Sequence, residues 1–196
     1  INNIELSGGL FEENLLEKLL KLKNRINFQI HNYFPVPKIP FVLNLASLNE
    51  EVSALSMVHM ETAIKWSAKL GSKSYSFHAG FLIDPRPNEL GKKISNREIN
   101  NREEGLSLFI ERVKRLADFA KNEGVELLIE NNVLSKKNYQ EFNGNPLLMI
   151  EPDECLIVMN NTPDNVNMLL DVAHLKVSAN TLEFDPITSL NDINKW

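Results

Sequence analysis

Short alternations of apolar and polar residues, separated by longer stretches of helical periodicity, run the length of the chain. The alternating segments are NNIELS (2–7), NFQIHN (27–32), SYSFHAG (74–80), VELLIENN (125–132) and NMLLDVAH (167–174). Between them, residues 12–24, 49–71, 101–124 and 151–161 carry helical patterns. Strand followed by helix, repeated, predicts parallel βα units, because parallel neighbours need a crossover connection. Gly71 and Gly124 each end a helical stripe just before a strand, where a left-handed C-cap belongs. Asn49 before Glu50 and Glu51 reads as an N-cap with acidic first-turn residues. Residues 136–150 follow neither period, and loops of that length in compact domains are often functional.

Residue parity inside the strands is more informative than their existence. Asn3, Glu5 and Ser7 oppose Ile4 and Leu6; Asn27, Gln29 and His31 oppose Phe28 and Ile30; Ser74, Ser76 and His78 oppose Tyr75 and Phe77. Glu126, Leu128 and Glu130 oppose Leu127 and Ile129, while Leu169 and Asp171 oppose Met168 and Leu170. Alternation alone would suit an antiparallel sheet with one wet face, but the intervening helices require parallel strands. A closed barrel reconciles the two: one parity faces the helices, the other faces the interior and emerges at the C-terminal mouth. The last inward residues are then Glu5 or Ser7, His31, His78, Glu130 and Asp171, with His174 one turn further on, at the rim. A lone residue of this kind is usually structural or a helix cap. Two imidazoles and two carboxylates at equivalent strand ends instead point to a metal or acid/base site, since unpaired buried carboxylates cost several kcal/mol. His59 lies inside a helical stretch, away from any strand end, and is read as structural or solvent-facing.

At 196 residues, 43% hydrophobic and 24% charged, the chain has the profile of one globular domain. With 21 basic against 26 acidic residues the net charge is -5, and no Lys/Arg run offers a phosphate-backbone footprint, which disfavours nucleic acid as partner. No apolar stretch reaches the roughly 18 residues of a membrane span, nor does the start resemble a signal peptide. The single Cys155 allows no internal disulfide and suits a reducing cytoplasm. The sequence leaves room for a homo-oligomer without specifying one.

The segments NIELSGG, FQIHNYFPVP, VLNLAS, SYSFHAG, EGVELLIENN and LLDVAHLKVSA, in this order, resemble the xylose-isomerase-like barrel superfamily. That superfamily holds sugar-phosphate isomerases and epimerases as well as the second family of apurinic-site (AP) endonucleases. The resemblance implies a (β/α)8 TIM barrel with a divalent metal ion at its C-terminal mouth. Glu130 falls on the metal-binding glutamate and Asp171 on the metal-binding aspartate. His31 and His78 match two upstream metal-binding histidines, and His174, from the same DxxH motif as Asp171, contacts substrate. Only five strand-and-helix units are legible, so the chain is expected to be a single barrel domain lacking the first strand and the last two units, with their later metal-binding His and final Glu.

The activity so implied is that of a sugar or sugar-phosphate isomerase or epimerase. A Mn, Mg, Co or Zn ion chelates the carbonyl and neighbouring hydroxyl, and Glu130 moves a proton beside the stabilised enediolate, with His174 assisting. Glu5, Phe34 and Asn131 are further candidate substrate contacts, Tyr33 and Phe34 being an apolar wall for the sugar ring. The alternatives are a three-zinc AP endonuclease, opposed by the sparse basic residues of the mouth loops (Arg86, Lys92, Lys93, Lys136, Lys137), and a non-catalytic sugar-binding barrel.

Overall fold

The computed structural model describes residues 2–89, 92 and 94–193; Lys93, counted above among the mouth-loop cations, lies outside them. Its elements are β1 (Asn3–Leu6), α1 (Leu15–Leu20), β2 (Asn27–His31), α2 (Glu50–Leu70), β3 (Ser74–His78), α3 (Arg102–Glu123), β4 (Glu126–Glu130), α4 (Lys136–Phe142), α5 (Pro152–Asn160), β5 (Val166–Leu169), α6 (Val172–Leu182) and α7 (Pro186–Ile193). The five strands pair in sequence order, every pair parallel. Register pairs Glu5 with Gln29, His31 with Ser76, and His78 with Glu130, so the polar parity advances toward one end of the sheet.

The long helices form where the periodicity placed them. Asn49 accepts from the Glu51 and Val52 amides at the start of α2, and Gly71 closes it in the left-handed region at φ 81°. Asn101 caps α3, and Gly124 closes it at φ 69°. Met60, Ala63 and Ile64 of α2, with Phe109, Val113, Leu116, Ala117 and Ala120 of α3, are fully buried. They cover Phe28, Ile30, Tyr75, Phe77, Leu127 and Ile129, the apolar parity of the strands. At about 1.5–3 kcal/mol for each large side chain taken from water, this layer is the main favourable term of the fold. Residues 136–150, which followed neither period, contain the short α4 and then rejoin the β3 loop through an antiparallel bridge between Phe81 and Leu147. Among the described residues, no helix is long and apolar enough to cross a membrane.

Two buried amides hold the loop that leaves β3. The Asn44 side chain donates to the carbonyls of Phe81 and Ile83 (3.0 Å each) and accepts from the Phe81 amide at 2.9 Å. From the other side, Asn132 donates to the carbonyls of Ala79, Gly80 and Leu148 at 2.8–3.1 Å. Gly80 lies between them, where a Cβ would stand 2.6 Å from the Ala46 Cβ.

His59 is structural and buried, 7% exposed, with its ring stacked on Tyr33 at 5.4 Å between centroids. Burial pushes its pKa down to about 4, partly opposed by a hydrogen bond to the Asn32 backbone. The folded state therefore binds fewer protons than the unfolded chain, whose histidines titrate near 6.5.

Gly80→Ala is expected to destabilise by about 1–3 kcal/mol through overpacking, read as a lower urea midpoint. Gly144→Ala, whose nearest neighbour is 3.8 Å away, should stay within about 0.5 kcal/mol. Because His59 must gain a proton on unfolding, stability should fall as pH drops from about 6.5 toward 4. His59→Phe should flatten that slope in denaturant titrations across this window; an unchanged slope would remove His59 from the account.

Candidate metal centre

Strand parity carries His31, His78 and Glu130, the last residues of β2, β3 and β4, to the same side of the sheet. Glu130 is the hub: its Oε2 lies 3.3 Å from His31 Nε2 and 3.6 Å from His78 Nδ1, and its Oε1 lies 3.4 Å from His174 Nδ1. Two donor triads, His31–His78–Glu130 and Glu130–Asp171–His174, share this carboxylate, the ligand-capable atoms of each lying within 4.8 Å of one another. Glu5 joins His31, Glu130 and Asp171 in the lining of a polar cavity of about 400 Å³.

Asp171 reaches the cluster differently from the strand-tip position expected of it. β5 ends at Leu169, and Asp171 is the N-cap of α6: its Oδ1 accepts from the amides of Ala173 (2.7 Å) and His174 (2.9 Å). Its Oδ2 faces His174 Nε2 at 3.7 Å. One carboxylate thus starts the helix and faces the cluster, and its pKa is lowered chiefly by the His174 amide hydrogen bond.

Two expected substrate contacts, Phe34 and Asn131, are buried against the protein itself. Phe34 is 3% exposed and packs edge-on against Trp66 in the hydrophobic core; its neighbour Tyr33 is the residue that lines a cavity. Asn131, 2% exposed, spends its amide on the Asp171 backbone, donating to the carbonyl at 3.1 Å and accepting from the N–H at 2.7 Å. Asn132, which sequence reasoning passed over, lines the larger cavity beside the cluster. Ser76, visible in the sequence only as an inward polar residue, holds the His31 ring through Nδ1 at 2.9 Å.

These contacts set the tautomers. The Asn131 carbonyl, 2.9 Å from His174 Nδ1, can only accept, so Nδ1 carries a hydrogen. The Ser76 hydroxyl, whose own hydrogen points toward the Ile30 carbonyl at 3.4 Å, accepts from His31 Nδ1, leaving the Nε2 lone pair opposite Glu130 Oε2. A lone pair facing a carboxylate oxygen at 3.3 Å is unfavourable unless a proton or a cation lies between them. Burial first, then Asp171 and Glu5, push the Glu130 pKa up to about 7, with His174 opposing. Burial lowers His31, and burial with the neighbouring histidines lowers His78 to about 4. The short distances from His31 and His78 to Glu130 are therefore a convergence of neutral donors rather than ion pairs, and the acceptor-rich set fits a divalent cation.

Residues 5–193 match the family model described as xylose isomerase-like TIM barrel. No curated protein sequence matches the chain. Among solved structures, a D-tagatose 3-epimerase-like protein is 21% identical at a TM-score of 0.69, covering 98% of this chain and 62% of its own. An L-ribulose 3-epimerase is 18% identical at 0.64, covering 90% and 52%. A xylose isomerase-like TIM barrel protein from Mycobacterium smegmatis in complex with magnesium is 15% identical at 0.58, covering 89% and 53%. The chain thus spans less than two thirds of each of these relatives and shares their fold.

The double duty of Asp171 separates two variants. Asp171→Ala removes the α6 cap and should cost about 0.5–2 kcal/mol in denaturant unfolding. Asp171→Asn keeps an N-cap oxygen and should unfold within a few tenths of a kcal/mol of wild type; equal losses in both would refute the capping role.

Proposed function

The chain belongs to the xylose isomerase-like TIM barrel family, and from that premise we propose that the whole protein is a divalent-metal-dependent sugar or sugar-phosphate isomerase or epimerase. The observation that carries this reading is the pair of donor triads sharing Glu130 at the strand ends. In it, Glu130, Asp171, His31 and His78 hold the ion, and the mixed carboxylate and imidazole set suits Mn, Co or Zn, with Mg the harder alternative. When bound, such an ion supplies Lewis-acid polarisation of the substrate carbonyl and adjacent hydroxyl, acidifying the C–H bond between them.

The remaining steps belong to the chain's own groups. Glu130 takes the proton from carbon and returns it; a carboxylate desolvated to this degree is a stronger base than one in water. His174, fixed through Nδ1–H to the Asn131 carbonyl, presents Nε2 for a substrate hydroxyl. Glu5, which also lines the polar cavity, offers an acceptor to further hydroxyls. The burial of Glu130, 6% exposed, keeps competing water away from the proton in transit. A reducing, cytoplasmic setting accords with the one buried, free Cys155.

Chelator-stripped protein reconstituted with Mn²⁺ or Zn²⁺ should bind about one ion per chain by elemental analysis, and then interconvert a ketose or ketose phosphate with its isomer or epimer. Glu130→Gln should lose at least about 10²-fold in kcat, the usual contribution of a positioned acid/base group; full turnover by this variant would sink the assignment. Shared triads are also compatible with a multi-zinc cluster. About three zinc ions with cleavage of abasic DNA would therefore establish the endonuclease instead, and no ion at all a non-catalytic sugar-binding barrel.

A further inference from the structure

A second cavity, of about 750 Å³, adjoins the cluster, with His78 and His174 in its lining. Its chemistry is the reverse of the first. Glu5, Glu130 and Asp171 line the polar cavity, whereas among the described residues no carboxylate lines the larger one, and two exposed lysines, Lys92 and Lys137, do. Tyr33, Phe81, Ile94 and Val133 give it a largely apolar wall. A volume near 750 Å³ falls in the roughly 300–1,000 Å³ range that encloses drug-sized ligands. A single sugar is smaller than the ligands such a volume encloses.

The described residues of this wall are tied together by hydrogen bonds. Arg97 donates to the Asp84 carbonyl at 2.6 Å and to both oxygens of Glu89 at 2.6 and 2.8 Å. Glu89 accepts in turn from the amides of Arg86 (2.7 Å) and Ser95 (3.1 Å). The Ile94 amide donates to Asn138 at 3.3 Å, joining this loop to α4. A cavity ordered before binding loses little freedom on being filled, so its shape selects what fills it.

We propose that the substrate is a ketose whose terminal hydroxyl, remote from the carbonyl, carries an aromatic acid. The ring lies against Tyr33, Phe81, Ile94 and Val133, and the acid faces Lys92 and Lys137. This inference rests on the sugar-carbonyl reading of the cluster and adds to it the class of substituent.

The test is calorimetric, on Mn²⁺-loaded protein, with 6-O-(4-carboxybenzoyl)-D-fructose, D-fructose, D-fructose 6-phosphate and monomethyl terephthalate as probes. The aryl ester should bind at least tenfold tighter than fructose or its phosphate. Monomethyl terephthalate alone should bind with or without the ion. Val133→Asn, at a position 37% exposed, and Lys92→Ala combined with Lys137→Ala should each weaken the aryl ester about tenfold while leaving Mn²⁺ affinity unchanged. Equal affinity for ester and fructose, preference for the phosphate, or insensitivity to both variants would each overturn the proposal. Terephthalate binding that responds to the variants in protein that takes up no Mn²⁺ would support the anionic aryl cavity and refute the metal-isomerase reading alone, so the two failures are distinguishable.

Discussion

Parallel strands joined by helical crossovers can hide their apolar parity only beneath those helices, and everything else in this molecule follows from that constraint. Once Phe28, Ile30, Tyr75, Phe77, Leu127 and Ile129 are committed to α2 and α3, the alternate residues must point the other way. Register then sets His78 beside Glu130 and His31 beside Ser76, one inward residue earlier on β3, and the three side chains converge. The cluster is a consequence of a two-residue period applied to successive strands. Its electrostatic cost is met by the apolar layer, because burying a carboxylate among lone pairs costs several kcal/mol without a compensating proton or ion.

Amide side chains supply the precision that strand geometry lacks. Asn131 grips the Asp171 backbone in both directions, and its own carbonyl sets the His174 tautomer. Asn44 and Asn132 clamp the loop beyond His78 from opposite sides, satisfying carbonyls that no ladder reaches. An amide suits this task because it donates and accepts at once and carries no charge to desolvate. Ligand-capable residues thus sit on regular elements, while uncharged polar groups in the connecting loops orient them.

The two cavities differ in the charge of their linings. The acid-lined one gathers cation-seeking oxygens around Glu130; the other combines an apolar wall with cationic lysines. His78 and His174 line the second cavity, and both face Glu130, which lines the first.

Much of this was legible in the chain itself. Period-two alternation revealed the parallel βα order and the face each strand residue would take, because side-chain direction in a strand is a local property. Gly71, Gly124 and Asn49 marked the helix ends for equally local reasons, the first two by tolerating positive φ and the third by accepting amide hydrogens. The convergence of His31, His78 and Glu130 could be read from the same parity. Tertiary structure alone decided the rest. Asp171 leaves the strand to cap α6, Phe34 turns into the core while Tyr33 takes the cavity wall, Asn131 is absorbed by backbone, and residues 136–150 fold into α4 and a bridge to Phe81. Each of these depends on partners tens of residues away, and hydrogen bonds and packing at that range have no period for a sequence to display.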